Sequence, residues 1–222
     1  MPIHPAPRPV TNSSALDVAA EANHRIADNL SMIAGLVRMQ GSSIRKNARG
    51  TSVDEVRLIL EEIGERLEAV ARLHLLLAGG QQEASIEIAS YLREIAEGVV
   101  SSLSILGKIE LQFASDRGCF VRPETALSLG LIVGELVTNA VKYAHPTGVD
   151  GKIRVACHRR SNGNMMIEIS DDGVGLPEDF DPMKNEHLGF RLMRSLADKL
   201  GATVTFHGDG LGLCFALQMP AG

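Results

Sequence analysis

Three stretches of the second half carry side chains whose types and spacing could do chemistry. In GELVTNAVKYA, residues 134–144, Glu135, Asn139 and Lys142 follow at intervals of four and three. On a helix that spacing puts an acid, an amide and an ammonium on one face. Carboxylate and amide oxygens suit a hard cation such as Mg2+, and lysine suits phosphate oxygens. The same spacing also describes a half-buried helix with a polar edge, and the stretch by itself serves either reading. In ISDDGVGLP, Asp171, Gly173 and Gly175 directly follow an apolar strand pattern. A buried carboxylate there accepts the hydrogen bond of an exocyclic amine such as that of adenine. Glycines after it let backbone approach a ligand and adopt positive φ. A Gly-rich turn after a strand explains the same residues without a ligand. Past EDFDPMKNE comes HLGFRLM, where Gly189 could open a helix at a phosphate. GDGLGL, residues 208–213, reads mainly as a hairpin turn. The sequence holds no G-x-x-x-x-G-K-[ST], so it is not a P-loop chain.

A fourth candidate stands near the N-terminus, in EANHRIADNL, residues 21–30. Ala19, Ile26, Leu30, Ile33 and Val37 make one apolar stripe at helical spacing. His24 lies two residues from Ile26, about 200° around the helix, and faces away from that stripe. Glu21 and Asp28 share its face. Taken alone this is a solvated polar face.

These residues need elements to hold them. Residues 14–40 carry a long helical pattern, broken by GSSIRKNARGTS, and a second runs from about Val53 to Leu77. Its stripe is Val56, Leu60, Ile63, Leu67, Val70, His74 and Leu77, with His74 packed. Two such helices form a hairpin that buries one side of each stripe, so a homodimeric four-helix bundle is the expected solution. GGQQEAS, residues 79–85, is a linker. Beyond it YLREIAEGVVSSL reads as a helix, KIELQFAS as a strand and PETALSLGLIVGELVTNAVKYAH as a long buried helix. KIRVACHRR and NMMIEISDD form a hairpin across SNGN, and LGFRLMRSLADKLG is a helix closed by Gly201. ATVTFHG and GLCFALQMP make a last hairpin. The expected class is α+β, one sheet of antiparallel strands with helices on one face. The domains are a flexible leader at 1–13, a helical hairpin at 14–80 and a sandwich at 84–222.

The bulk numbers bound the function. A chain of 222 residues, 45% hydrophobic and 22% charged, has room for a real core. A net charge of −5 argues against nucleic acid as a partner. Cys119, Cys157 and Cys214 are scattered and in no metal spacing, which fits reduced thiols in the cytoplasm. Apolar runs such as LSLGLIV are too short to span a bilayer, and MPIHPAPRPVTNSS lacks the apolar core of a secretory signal. No membrane association is expected, and no sensor is apparent.

Taken in order, the three stretches resemble the Bergerat-type (GHKL) ATP-binding domain shared by histidine kinases, the Hsp90 chaperone, type II topoisomerases and mismatch-repair ATPases. Glu135 to Lys142 matches the N-box, Asp171 to Gly175 the adenine-binding G1 box, and Gly189 the second glycine box. The likeness covers residues 84–222. With a helical hairpin and an exposed histidine before it, the chain resembles a two-component sensor histidine kinase. His24, Arg25, Asn29 and Leu30 match a subclass related to the HWE kinases, although the chain has no Trp for the motif that names that group.

The resemblance implies an ATP-dependent protein histidine kinase. ATP and Mg2+ would be held by Glu135, Asn139, Lys142, Asp171, Gly173, Gly175 and Gly189, with Asn139 and Glu135 toward the metal. His24 would be phosphorylated, and the phosphoryl group would pass to an aspartate in the receiver domain of a response regulator. Glu21, Asp28 and Glu135 each have the chemistry to orient the imidazole or take its proton. Input would come from an upstream sensor or partner protein. The chain departs from the subclass at Ala27 and Asp28, and Asp28 places an acid beside a phosphorylated histidine. HLGF carries one glycine where many such kinases have two. Two other readings fit the same fold: an ATP-independent histidine phosphotransfer protein, and a non-catalytic scaffold that binds a regulator. Retention of Asn139 and Asp171 argues against the first.

Overall fold

The computed structural model describes residues 34–35, 38, 57, 60, 64, 85–103, 108–146, 149–177, 180–184, 188–208 and 212–220. The chain divides into two compact units, Met1–Ala48 and Arg49–Gly222. In the first, Ala34, Gly35 and Arg38 are helical; in the second, so are Arg57, Leu60 and Gly64. His24, Glu21 and Asp28, and with them the leader and the proposed pairing of hairpins, lie outside the described residues.

From residue 85 onward the described residues of the second unit form an α/β sandwich. Strand β1 (Ile86–Glu87) leads into helix α1 (Ile88–Leu103), followed by β2 (Ile109–Ser115), β3 (Phe120–Val121) and helix α2 (Pro123–Asn139). A π-helical turn, Ala140–Ala144, continues α2. Then come β4 (Gly151–Arg159), β5 (Met165–Asp171), helix α3 (Leu188–Lys199), β6 (Thr203–Gly208) and β7 (Leu213–Met219). Five strands form one sheet in the order β2-β4-β5-β7-β6, and β1 pairs with β3 in a small two-stranded sheet.

Both expected hairpins are present, β4 with β5 and β6 with β7, each antiparallel. The direction of β2 differs from the expectation: it runs parallel to β4, with Ile109 opposite Gly151 and Ser115 opposite Cys157. The reason is the connection. A tight turn reverses a strand, whereas the path from β2 to β4 crosses over through α2, which returns the chain in the same direction.

Pleating puts Phe113, Val155, Ile169, Phe215 and Phe206 in one row across the sheet, and Ile153, Ile167 and Leu217 on the same face. The helices cover this face. Arg93 of α1 lies 4.2 Å over the Phe113 ring, and Phe190 of α3 packs 6.2 Å from Phe206. Phe206 in turn meets Phe215 edge-on at 5.3 Å, and Phe190 meets Phe180 at 5.4 Å. The Cys119 and Cys157 thiols meet within the core as free cysteines, and burial pushes the Cys157 thiol up. Gly201 closes α3, donating its N–H to the Asp198 carbonyl at 3.0 Å.

Helix α2 is the spine of the sandwich, and it revises one expectation. Pro123–Ala144 is a 22-residue helical stretch apolar enough to cross a membrane by length and composition. Its buried residues, among them Leu129, Ile132, Val133 and Val137, instead pack inside the domain. Gly130 lets α1 come close: a Cβ there would sit 2.9 Å from the Tyr91 hydroxyl and 2.9 Å from Ile95 Cδ1. The Tyr91 hydroxyl is buried there with no hydrogen-bond partner among the described residues. Burial, helped by the charge of Glu94, pushes its phenol up. An unpaired buried hydroxyl costs about 1–3 kcal/mol. Tyr91→Phe should therefore leave stability unchanged or raise it by about 1 kcal/mol, read as the midpoint of urea unfolding. A drop of that size would mean the hydroxyl does have a partner.

Candidate functional site

The site forms where three pieces of chain meet: the end of α2, the loop after β5 and the start of β7. Strand β5 carries Ile167 and Ile169 into the core, so alternation brings Asp171 out on the same, helix-covered face at the strand's last position. There one carboxylate oxygen, Oδ1, accepts the Gly173 N–H at 3.0 Å and the Leu213 N–H at 3.3 Å. Neither bond uses Oδ2. Among the described residues the amides thus converge on one oxygen, and the second oxygen of such a carboxylate can accept from a ligand amine.

Desolvation raises the Asp171 carboxyl above its ordinary range, against the lowering effects of the Gly173 and Leu213 amides and of His145. A group raised on folding favours the fold at acid pH and loses that contribution as pH rises through its folded value. At neutral pH the ionised Asp171 is thus a cost to the fold, one that a donor from a ligand would offset.

The loop after Asp171 is pinned to the end of α2. The Val174 N–H donates to the Ala144 carbonyl at 2.9 Å. A Cβ on Gly173 would lie 2.3 Å from that same carbonyl oxygen, so Gly173 is there for close approach. Gly175, with φ 69°, occupies the left-handed region. The two glycines of the expected G1 box thus have different jobs.

The strands after α3 contribute more than the hairpin turn expected of GDGLGL. Gly212 sits against Asp171, where a Cβ would come within 2.1 Å of the Asp171 carbonyl oxygen, and the next residue supplies the Leu213 N–H. Gly212 and Leu213 are therefore site residues that the sequence reading missed. The G-L-G run entering an alternating strand was the available signal.

On α2, Glu135 and Asn139 are half-buried, and Lys142 is exposed. Lys142 falls in the π-turn rather than the α-helix, so the face expected from α spacing is rotated at that residue. Turns of this kind are frequent at functional sites. Gly189, the second residue of α3, is buried, and a Cβ on it would overlap the Glu135 carboxylate, 1.9 Å from Oε1. The sequence reading had this glycine opening a helix toward phosphate; what the structure puts beside it is Glu135. The N-box and the second glycine box thus touch directly.

Two further residues that sequence reasoning passed over brace the loop. His145 Nε2 stands 3.0 Å from Asp172 Oδ1, and the same oxygen accepts the Lys152 N–H at 2.7 Å. Against slight desolvation, the Lys152 amide and His145 hold the Asp172 carboxyl below its usual range. Among the described residues no group of three His, Cys, Asp or Glu could hold a metal ion. A Mg2+ bound with substrate phosphates needs only one or two protein oxygens, and Glu135 and Asn139 are of the right kind. The arrangement can bind an adenine amine at Asp171 and anionic oxygens near Lys142, beside a carboxylate–amide pair.

Comparison with known proteins gives two family matches and several relatives. A family model described as histidine kinase matches residues 21–103. The model of histidine kinase-, DNA gyrase B- and HSP90-like ATPases matches residues 124–222. Blue-light-activated histidine kinase 2 of Erythrobacter litoralis is 29% identical over 205 residues, covering 90% of this chain and 56% of that protein. Sensor histidine kinase PdtaS of Mycobacterium tuberculosis is 28% identical over 177 residues, 79% of this chain and 33% of its own length. The chain thus spans about half of the first relative and a third of the second. The solved histidine kinase domain of a blue-light activated kinase from Erythrobacter litoralis superposes with a TM-score of 0.63 at 25% identity, covering 86% of this chain and 96% of that domain.

Proposed function

The chain belongs to the histidine kinases, and from that membership we propose that it is an ATP-dependent kinase that phosphorylates its own His24 and passes the phosphoryl group to an aspartate of a response regulator. The observation that carries the nucleotide half of this reading is the carboxylate of Asp171, one oxygen held by two backbone amides and the other outside both of those bonds, on a loop tied to the end of α2. The acceptor half rests on the family match over residues 21–103, which contains His24.

ATP supplies the γ-phosphoryl group when bound. Asp171 holds the adenine amine, and the Gly173–Gly175 loop brings backbone close to the nucleotide. Glu135 and Asn139 hold Mg2+, and Lys142 offsets phosphate charge. Phosphoryl transfer asks little of the protein beyond such positioning and charge neutralisation. His24 presents a neutral ring nitrogen, available near pH 7. Glu21, Asp28 or Glu135 orients the imidazole or takes its proton. The proposed assembly is a cytoplasmic homodimer through the hairpin, with a receiver domain downstream and an input protein upstream.

The test is incubation of the purified protein with Mg2+ and γ-labelled ATP, followed by addition of candidate receiver domains. Label that is lost in acid, survives base and moves to a receiver is the expected result. Nucleotide bound without any label taken up would overturn the kinase reading in favour of a relay or scaffold.

A further inference from the structure

We propose that His145 is a positioning residue for adenine recognition, acting through Asp172 to set the loop that presents Asp171. The inference rests on the nucleotide-binding reading above. It starts from where His145 sits. It is the first residue past the π-turn, and its backbone, at φ −126° and ψ 70°, has left the helical region. Its side chain is turned inward, only 11% exposed. The ring lies over Gly151 so closely that a Cβ there would fall 2.1 Å from Nε2. Gly151 begins β4, so the imidazole fills the space between the end of α2 and the start of that strand.

From that position Nε2 meets Asp172 Oδ1 at 3.0 Å, and the Lys152 N–H reaches the same oxygen at 2.7 Å. The Asp172 N–H returns to the Lys152 carbonyl at 3.3 Å, and the Val174 N–H bonds to the Ala144 carbonyl. Residues 172–174 are thus tied on one side to β4 and on the other to Ala144 and His145. Asp171 stands immediately before this clamp, and its Oδ1 takes the N–H of Gly173 from within it. Movement of the clamp would move that amide and rotate the carboxylate. A site geometry is kept only when its supporting side chains are themselves fixed.

The experiment measures ADP and GDP affinity by calorimetry, with thermal unfolding of the ligand-free protein, for the wild type, His145→Ala and His145→Gln. Glutamine keeps an N–H donor toward Asp172. The expected result is about tenfold weaker ADP binding for His145→Ala, the loss of one charge-assisted hydrogen bond. The preference for ADP over GDP should fall by a similar factor, and His145→Gln should recover most of both. ADP affinity or base preference unchanged in His145→Ala overturns the positioning role. So does an equal loss for both nucleotides that glutamine does not rescue, which marks a purely structural residue. A wild type that binds neither nucleotide overturns the nucleotide reading itself, and this inference with it.

Discussion

His24→Ala should take up no acid-labile phosphate while still binding ADP as the wild type does. The two halves of this expectation come from separate parts of the chain. The proposed nucleotide site is built from α2, the loop after β5 and β7, all within residues 123–219. The proposed acceptor, His24, lies in the segment matched by the histidine kinase model, residues 21–103. Removing the nucleophile leaves the γ-phosphorus with no imidazole nitrogen to attack it. The loss should be on the order of a thousandfold or more in labelling rate. Labelling with γ-labelled ATP, alongside ADP calorimetry, reads both halves. Persistent label in the variant would mean that another residue is the acceptor. Loss of ADP binding would mean that the substitution acts through folding.

Gly173→Ala is expected to damage both stability and nucleotide binding. The added Cβ would lie 2.3 Å from the Ala144 carbonyl oxygen and 2.4 Å from Ala144 Cβ. Neither is the far end of a flexible side chain, so backbone must move. Moving it breaks the Val174–Ala144 bond and displaces the amide that holds Asp171. Overpacking of this kind costs about 1–3 kcal/mol, and ADP affinity should fall by more than about tenfold. Gly134→Ala, within α2, is the control. Its Cβ would meet only Ile95 Cγ2, at 3.7 Å. Alanine in a helix interior gains about 0.5–1 kcal/mol over glycine, so this variant should melt higher and bind ADP normally. Equal unfolding midpoints for the two variants would refute the steric argument.

The elements of the sandwich were legible in the sequence because long periodic segments announce themselves. Alternation marked β2 and both hairpins, and the apolar run of residues 123–145 marked α2. Local pattern carries no information on which strand lies beside which. The parallel pairing of β2 with β4 depends on how α2 crosses over, and so was missed. Strands β1 and β3, of two residues each, are too short to show any period. The π-turn is a slip of phase that composition does not record, and it moved Lys142 off the expected face. At the site, Asp171, Gly173 and Gly175 were found by residue type. His145, Asp172, Gly212 and Leu213 were not, since each acts through backbone or through a neighbour that only the fold supplies.

Four of the chain's six phenylalanines stand in one line, Phe180, Phe190, Phe206 and Phe215. In optical terms this line is almost silent, because the chain has no Trp and two Tyr. Phe180 is half-exposed, on the stretch between the Asp171 loop and α3, while Phe215 is fully buried. An indole placed at residue 180 would be the only one in the protein. Its emission would report the contact with Phe190 without background, and so would show in real time whether nucleotide rearranges the segment ahead of α3.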